Sequence, residues 1–355
     1  MPHTAAPHWV STLGLGRPAS RQPPLPPLRA RATVAMLLLA SLGGWCGGAS
    51  ALAVGARAQE PVAHEPVPQG VSLLGRELLS QATTPEQAAA IEDARRALAV
   101  EPGDAERVIA LGRALSEVWR YREAIEVYGR GIDQHPEDPL LYRHRGHRYI
   151  SLRDFERAEA DLERAATLAA ASPGKLGAGP TFDIWYHLGL ARYLQGDFDG
   201  AAEAYLACRD AITEGDDESM VAVSHWLYMS LRRAGRDAEA AAVLEPIHAG
   251  MTVDENRAYH ELLRLYRSEV TVEQIHDPET ATPLDLATTG YGVANWWLYG
   301  GEEAAASALF ERIAEGPYWP AFGFIAAEVE LAQREGQREE QREGQREGQR
   351  EGRNG

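Results

Sequence analysis

The chain is 355 residues long, 45% hydrophobic and 25% charged, and its 52 Asp+Glu outnumber its 35 Lys+Arg to give a net charge of −17. This composition excludes a polytopic membrane protein and a wholly disordered chain, and 34 Gly without a triplet period exclude collagen. What remains is one large packed domain or two of ordinary size.

Residues 1–58 carry Arg17, Arg21, Arg29, Arg31 and Arg57 and no acid, and an apolar run from Ala32 to Leu42 ends in a Gly-rich stretch. The pattern reads as an export signal, and the small residues of Ala56-Arg57-Ala58 place cleavage after Ala58. Because the run is shorter than the roughly 18 apolar residues of a spanning helix, retention as an anchor is the weaker alternative. A lipid on Cys46 is weaker still, with Trp45 where a small residue is needed. The expected location is therefore the periplasm or the outside of the cell. Residues 59–70 follow as a Pro-rich linker.

Removal of the signal leaves 30 Lys+Arg against 52 Asp+Glu, a net charge of −22. A field of that sign repels a phosphate backbone, so no nucleic-acid partner is expected, and no membrane span is expected in the mature chain. Of the two cysteines only Cys208 remains, which precludes an internal disulfide and leaves stability to packing.

Beyond the linker the chain repeats itself. Ala90, Ala124 and Ala158 are spaced by 34, as are Pro102 and Pro136, Gly112 and Gly146, and Ala97, Gly131 and Ala165. After a Pro/Gly-rich insertion near Ser172 to Thr181 the frame resumes with Gly189, Ala201 and Cys208. Within a frame, Leu111-Gly112 and Leu115, then Ala124, Tyr128 and Gly131, put apolar residues at helical spacing on two successive segments. A 34-residue period of this kind predicts helix, turn, helix, with small residues where helices approach closely.

These frames resemble tetratricopeptide repeats. The best match is Trp185-Tyr186-His187-Leu188-Gly189-Leu190-Ala191, followed by Gln195-Gly196-Asp197-Phe198, Ala201 and Tyr205. The resemblance spans about Val71 to Gln333 and implies an all-α, right-handed superhelical solenoid of tetratricopeptide-like helical hairpins. Units are expected at 105–138, 139–172, 182–215 and 221–254. A capping unit is expected at 71–104 with a poor first helix, then an irregular stretch at 255–286 and a last unit with a closing helix at 287–333. The tail, 334–355, repeats Arg-Glu-Gly-Gln and predicts low-complexity disorder, since recurrent Gly weakens a helix that has no apolar face to bury.

No catalytic or metal motif is present: there is no His-Glu-x-x-His, no Cys-x-x-Cys, no Gly-x-Ser-x-Gly and no phosphate-binding Gly-Lys-Ser/Thr. The remaining candidates read as solvated or packing residues. His144 and His147 are flanked by Arg143, Arg145 and Arg148, which repel a dication; Cys208 fills a small-residue slot; Asp216-Asp217-Glu218 lies in a loop. No enzyme activity, metal or cofactor is expected.

The resemblance further implies that first helices line a concave groove. The slots that face it hold Ile109 and Arg113; Arg143, His147 and Ile150; Tyr186, Leu190 and Tyr193; His225, Met229 and Arg232; and Tyr291 and Asn295. The expected function is a protein-interaction scaffold that grips an extended, acidic peptide or protein segment through Arg113, Arg143, His147, Tyr186, Tyr193, His225, Arg232, Tyr291 and Asn295. The family's clamp for a C-terminal carboxylate uses Lys and Asn where this chain has Ile109, Arg113, His144 and Asp183, so that particular ligand is in doubt. A structural role in envelope assembly, or an enzyme with a site near Trp296 and Trp297, are the alternatives.

Overall fold

The computed structural model describes residues 65–354; the expected signal, 1–58, lies outside them. Two short strands, β1 (Pro68–Val71) and β2 (Glu77–Leu79), pair antiparallel. Helices follow in order: α1 (Pro85–Val100), α2 (Ala105–Glu117), α3 (Tyr121–Gln134), α4 (Pro139–Ser151), α5 (Phe155–Ala170), α6 (Ala178–Leu194), α7 (Phe198–Asp210), α8 (Asp217–Arg233), α9 (Asp237–Val243), α10 (Arg257–Tyr266), α11 (Val272–Ile275), α12 (Pro283–Tyr299), α13 (Glu303–Glu315) and α14 (Phe322–Asn354). The protein is an all-α solenoid of helical hairpins, α2/α3, α4/α5, α6/α7, α8/α9 and α12/α13, the first four each packed on the next and α10 bridging α8 to α12.

Local sequence explains where the helices start. Asp104, Asp138, Asp154, Asp197 and Asp216 cap α2, α4, α5, α7 and α8 by accepting backbone N–H groups of the first turn. Thr84 and Gln87 form a reciprocal box at α1, with Pro85 at its first position. Within hairpins, the small residue of the first helix lies under a large residue 16 positions later. A Cβ on Gly189 would sit 2.8 Å from the Tyr205 ring, and one on Gly146 2.8 Å from Leu162. Between hairpins, a Cβ on Gly131 would sit 3.1 Å from Leu141 of α4. Gly189→Ala is therefore expected to destabilise the protein by about 1–3 kcal/mol through overpacking, read as a lowered urea midpoint. An unchanged midpoint would mean that Tyr205 yields freely.

Two segments depart from the sequence expectations, the start of the 71–104 unit and the tail. The expected first helix of the 71–104 unit, with the end of the linker, is instead the β-hairpin, whose Leu78 is buried. The 255–286 stretch holds α10 and the single turn α11, and Pro283 opens α12. The expected disordered tail continues α14 through Asn354. The buried turns from Phe324 to Val329 supply a formed helix, so each later residue adds to an existing nucleus instead of founding one.

The largest departure is closure. The inner faces of late helices meet those of early ones: the Tyr193 and Tyr291 hydroxyls hydrogen-bond at 2.9 Å, and Trp226 stacks on Tyr291 at 6.0 Å. The first turns of α14 lie inside this curl. Phe322 packs on His147 (5.4 Å) and His187 (5.8 Å), Glu328 pairs with Arg153 at 2.7 Å, and Glu330 pairs with Arg233. The β-hairpin completes the ring, since Trp319 Nε1 donates to the Leu79 carbonyl and Arg76 donates to the Gly316 carbonyl. Among the described residues no helix is long and apolar enough to cross a membrane.

Candidate anion-binding pocket

Closure redistributes the residues expected to line an open groove. Arg143, His147, Tyr186, Tyr193, His225, Tyr291 and Asn295 are all buried. Tyr186 stands edge-on to Tyr205 at 5.9 Å. Asn295 donates to the Tyr291 carbonyl and accepts from the Tyr299 hydroxyl. His225 stacks on Tyr259 at 4.5 Å, and burial pushes its imidazole down to about 3. Arg232, half-buried, lies over the rings of Tyr228 and Tyr299 and pairs with Asp237 at 2.9 Å. These six residues other than Arg143, His147 and Arg113 form no common trough, because the helices on which an open groove depends have folded against one another.

Arg113, Arg143 and His147 do converge. With Ser116, Glu117, Tyr128, His144 and Arg148 they line a small pocket of about 20 Å³ between α2, α3 and α4. That is room for one small polar group entering end-on. The pocket marks a polar seam in the core: one apolar cluster runs from Ile91 to Leu141, and a second takes in Leu78, Tyr121, the end of α4 and the helices from α5 to α14.

Three arginines face one glutamate in the lining. Arg113 is exposed at the rim. Arg143 is 4% exposed, pairs with Asp183 at 2.7 Å and reaches His144 Nδ1 at 3.1 Å, while its Nε makes no hydrogen bond. Arg148 is equally buried, and its guanidinium lies 4.6 Å over the Tyr121 ring. No carboxylate among the described residues pairs with it, and burial lowers its pKa from the ordinary arginine value. His144, His147 and His187 are all held well below the usual imidazole range, by burial first and by the neighbouring arginines next. The histidines are thus neutral, and the positive charge of the pocket belongs to arginine.

A desolvated cation without a counter-ion is unfavourable, and an entering anion relieves it. Arg148 is the residue missed by reading family groove slots. Its signal was nevertheless in the sequence: it lies one helical face-step, i+4, from His144 and i+7 from Leu141, which is buried.

The other candidates resolve into structure. Glu218 accepts from the backbone of Asp254, Glu255 and Asn256, and Asp217 from Thr252, so the acidic triplet ties down the 252–256 loop. Cys208 is fully buried, and burial pushes its thiol well above the ordinary range. Trp296 packs on Tyr266 at 5.9 Å.

No family model matches the chain. It is similar to the heat-shock cognate co-chaperone sgt12 of Aspergillus fumigatus, at 26% identity over 173 residues, 47% of this chain and 48% of that protein. It is similar also to the RNA polymerase-associated protein CTR9 of Caenorhabditis elegans, at 27% identity over 119 residues, 33% of this chain and 10% of that protein. The chain thus spans about half the length of the first relative and a tenth of the second. Among solved structures, MamA matches at a TM-score of 0.38 and 17% identity, covering 52% of this chain and 92% of MamA. YrrB, described as a TPR protein with an unusual peptide-binding site, matches at a TM-score of 0.38 and 17% identity, covering 68% of this chain and all of YrrB.

Proposed function

We propose that this tetratricopeptide-type solenoid is a non-catalytic interaction scaffold that captures a carboxylate-bearing protein segment at the basic pocket between α2, α3 and α4. The observation that carries the reading is Arg148, buried in a pocket with two further arginines and without a carboxylate of its own. Arg148 and the unbonded Nε of Arg143 supply donors inside the pocket, Arg113 meets further acidic side chains at the rim, and the His144 ring stacked on Tyr128 at 5.5 Å gives a flat wall. Glu117 at the rim opposes a second anion, which favours a ligand that inserts one carboxylate over one lying along the surface. The character of the first 58 residues supports export, so the partner is sought among envelope or extracellular proteins.

Titration calorimetry with pentaglutamate tests the reading. Arg148→Gln and Arg113→Glu are each expected to weaken binding by about 10- to 100-fold, the range of a charge-assisted hydrogen bond. A C-terminally amidated pentaglutamate separates terminal from side-chain carboxylate, and competition by inorganic phosphate shows whether the pocket accepts any small oxyanion. Equal affinity of wild type and Arg148→Gln would overturn the assignment.

A further inference from the structure

We infer that the basic pocket and the seating of the C-terminal segment 318–328 are coupled, so that an anion held at Arg148 tightens that segment and a loosened segment weakens the site. The inference rests on the proposed reading of the pocket and adds its regulation.

The first observation is a backbone irregularity that recurs in register. The fifteenth residue of each unit turns the chain between its two helices in the left-handed region. In three units that residue is glycine: Gly196 (φ 82°), Gly235 (φ 72°) and Gly301 (φ 82°). In the first two it is Trp119 (φ 61°) and Arg153 (φ 65°), for which this conformation is unfavourable. These two exceptions are the turn residues that grip the C-terminal segment. Trp119 meets Tyr318 at 5.4 Å and Trp319 at 5.5 Å. Arg153 donates to Glu328 at 2.8 Å and to the Trp319 carbonyl at 3.0 Å, and lies over the Trp319 ring. Strain retained where glycine serves elsewhere in the same fold points to a role for the side chain.

The second observation is what lies between this clasp and the pocket. Arg148 lines both the basic pocket and a small cavity shared with Trp119, Tyr121, His147, Tyr318 and Pro320. One face of Tyr121 carries the Arg148 guanidinium, and the ring meets Trp319 edge-on at 5.4 Å. Phe322 covers His147 from the other side. An anion that fixes the Arg148 guanidinium also fixes the ring against which Trp319 packs. The same contact run backwards makes a displaced Trp319 release Tyr121 and Arg148, because coupling of two equilibria is reciprocal.

Amide hydrogen exchange on the full chain, with and without saturating pentaglutamate, reads the coupling directly. The peptide is expected to slow exchange across 318–328 by about fivefold or more, and Trp119→Gly to weaken the peptide by the same factor. Ser268→Gly relieves a left-handed residue (φ 59°) in a turn away from the clasp and is expected to change neither. The double variant Arg153→Gly with Glu328→Leu removes the grip without stranding a charge and is expected to behave like Trp119→Gly. Peptide binding without slower exchange at 318–328, or wild-type affinity in both clasp variants, would overturn the inference. If pentaglutamate does not bind at all, the proposed function fails, and Arg148→Gln alone then decides the coupling. It must alter exchange at 318–328 and leave α7 unchanged, and unaltered exchange at 318–328 sinks it.

Discussion

Glu328→Ala is expected to lower the stability of the protein by about 3–5 kcal/mol, measured from urea unfolding monitored by circular dichroism. The Glu328 and Arg153 side chains are 1% and 2% exposed, and their pair spans 175 residues of sequence. Alanine leaves the Arg153 guanidinium buried with only the Ser151 and Trp319 carbonyls to receive it. Uncompensated burial of a cation, more than loss of the attraction itself, sets the size of the effect. Arg153→Met with Glu328→Leu is therefore expected to recover most of the loss, because both desolvation penalties vanish together. A Glu328→Ala protein within about 0.5 kcal/mol of wild type would place this pair among solvated surface pairs and deny closure its energetic role.

Acidification is expected to destabilise the protein steeply below pH 6.5. Burial, reinforced by Arg148 and Arg143, holds His147 and His187 well below the usual imidazole range, and burial alone holds His225 to about 3. All three are neutral in the fold and return to ordinary values, about 6.5, when it unfolds. Between the depressed and ordinary values the unfolded chain binds more protons, so stability rises with pH there and falls as pH drops below 6.5. Each buried histidine contributes about 1.4 kcal/mol of loss at one unit below its unfolded value, so these three contribute roughly 4 kcal/mol at pH 5.5, and His144, likewise depressed by burial and its arginines, brings the loss to roughly 6 kcal/mol. Urea midpoints at pH 7.5 and 5.5 measure this. His225→Phe, which keeps an aromatic ring against Tyr259, is expected to shrink the difference by about a quarter. Equal midpoints at the two pH values would mean that these rings are protonated or solvated in the fold.

Both effects come from contacts that no local pattern announces. The 34-residue recurrence and the small residues at Gly112, Gly146 and Gly189 specify hairpins by themselves, because a close approach of two consecutive helices is decided within one unit. Aspartates 104 and 138 mark two of the helix starts as plainly in the sequence as in the fold. Arg113, Arg143 and His147 were legible as a group for the same reason: they lie on adjacent first helices. Tyr186, Tyr193, His225, Tyr291 and Asn295 were assigned to a groove on the premise that the coil stays open, and the contacts that shut it, Tyr193 with Tyr291 and Arg153 with Glu328, lie 98 and 175 residues apart.

The amino-acid sequence alone determined the helical pairs, their order and the arginine-rich face of α4, since each follows from spacing within a few dozen residues. Tertiary structure alone decided that the coil closes on its own C-terminal helix, and hence that a small basic pocket stands where a long trough would have been. Closure happens once, between distant parts of the chain, so it leaves no period to read. It depends on how small rotations between successive hairpins accumulate, and that sum is fixed only when every packed interface is in place.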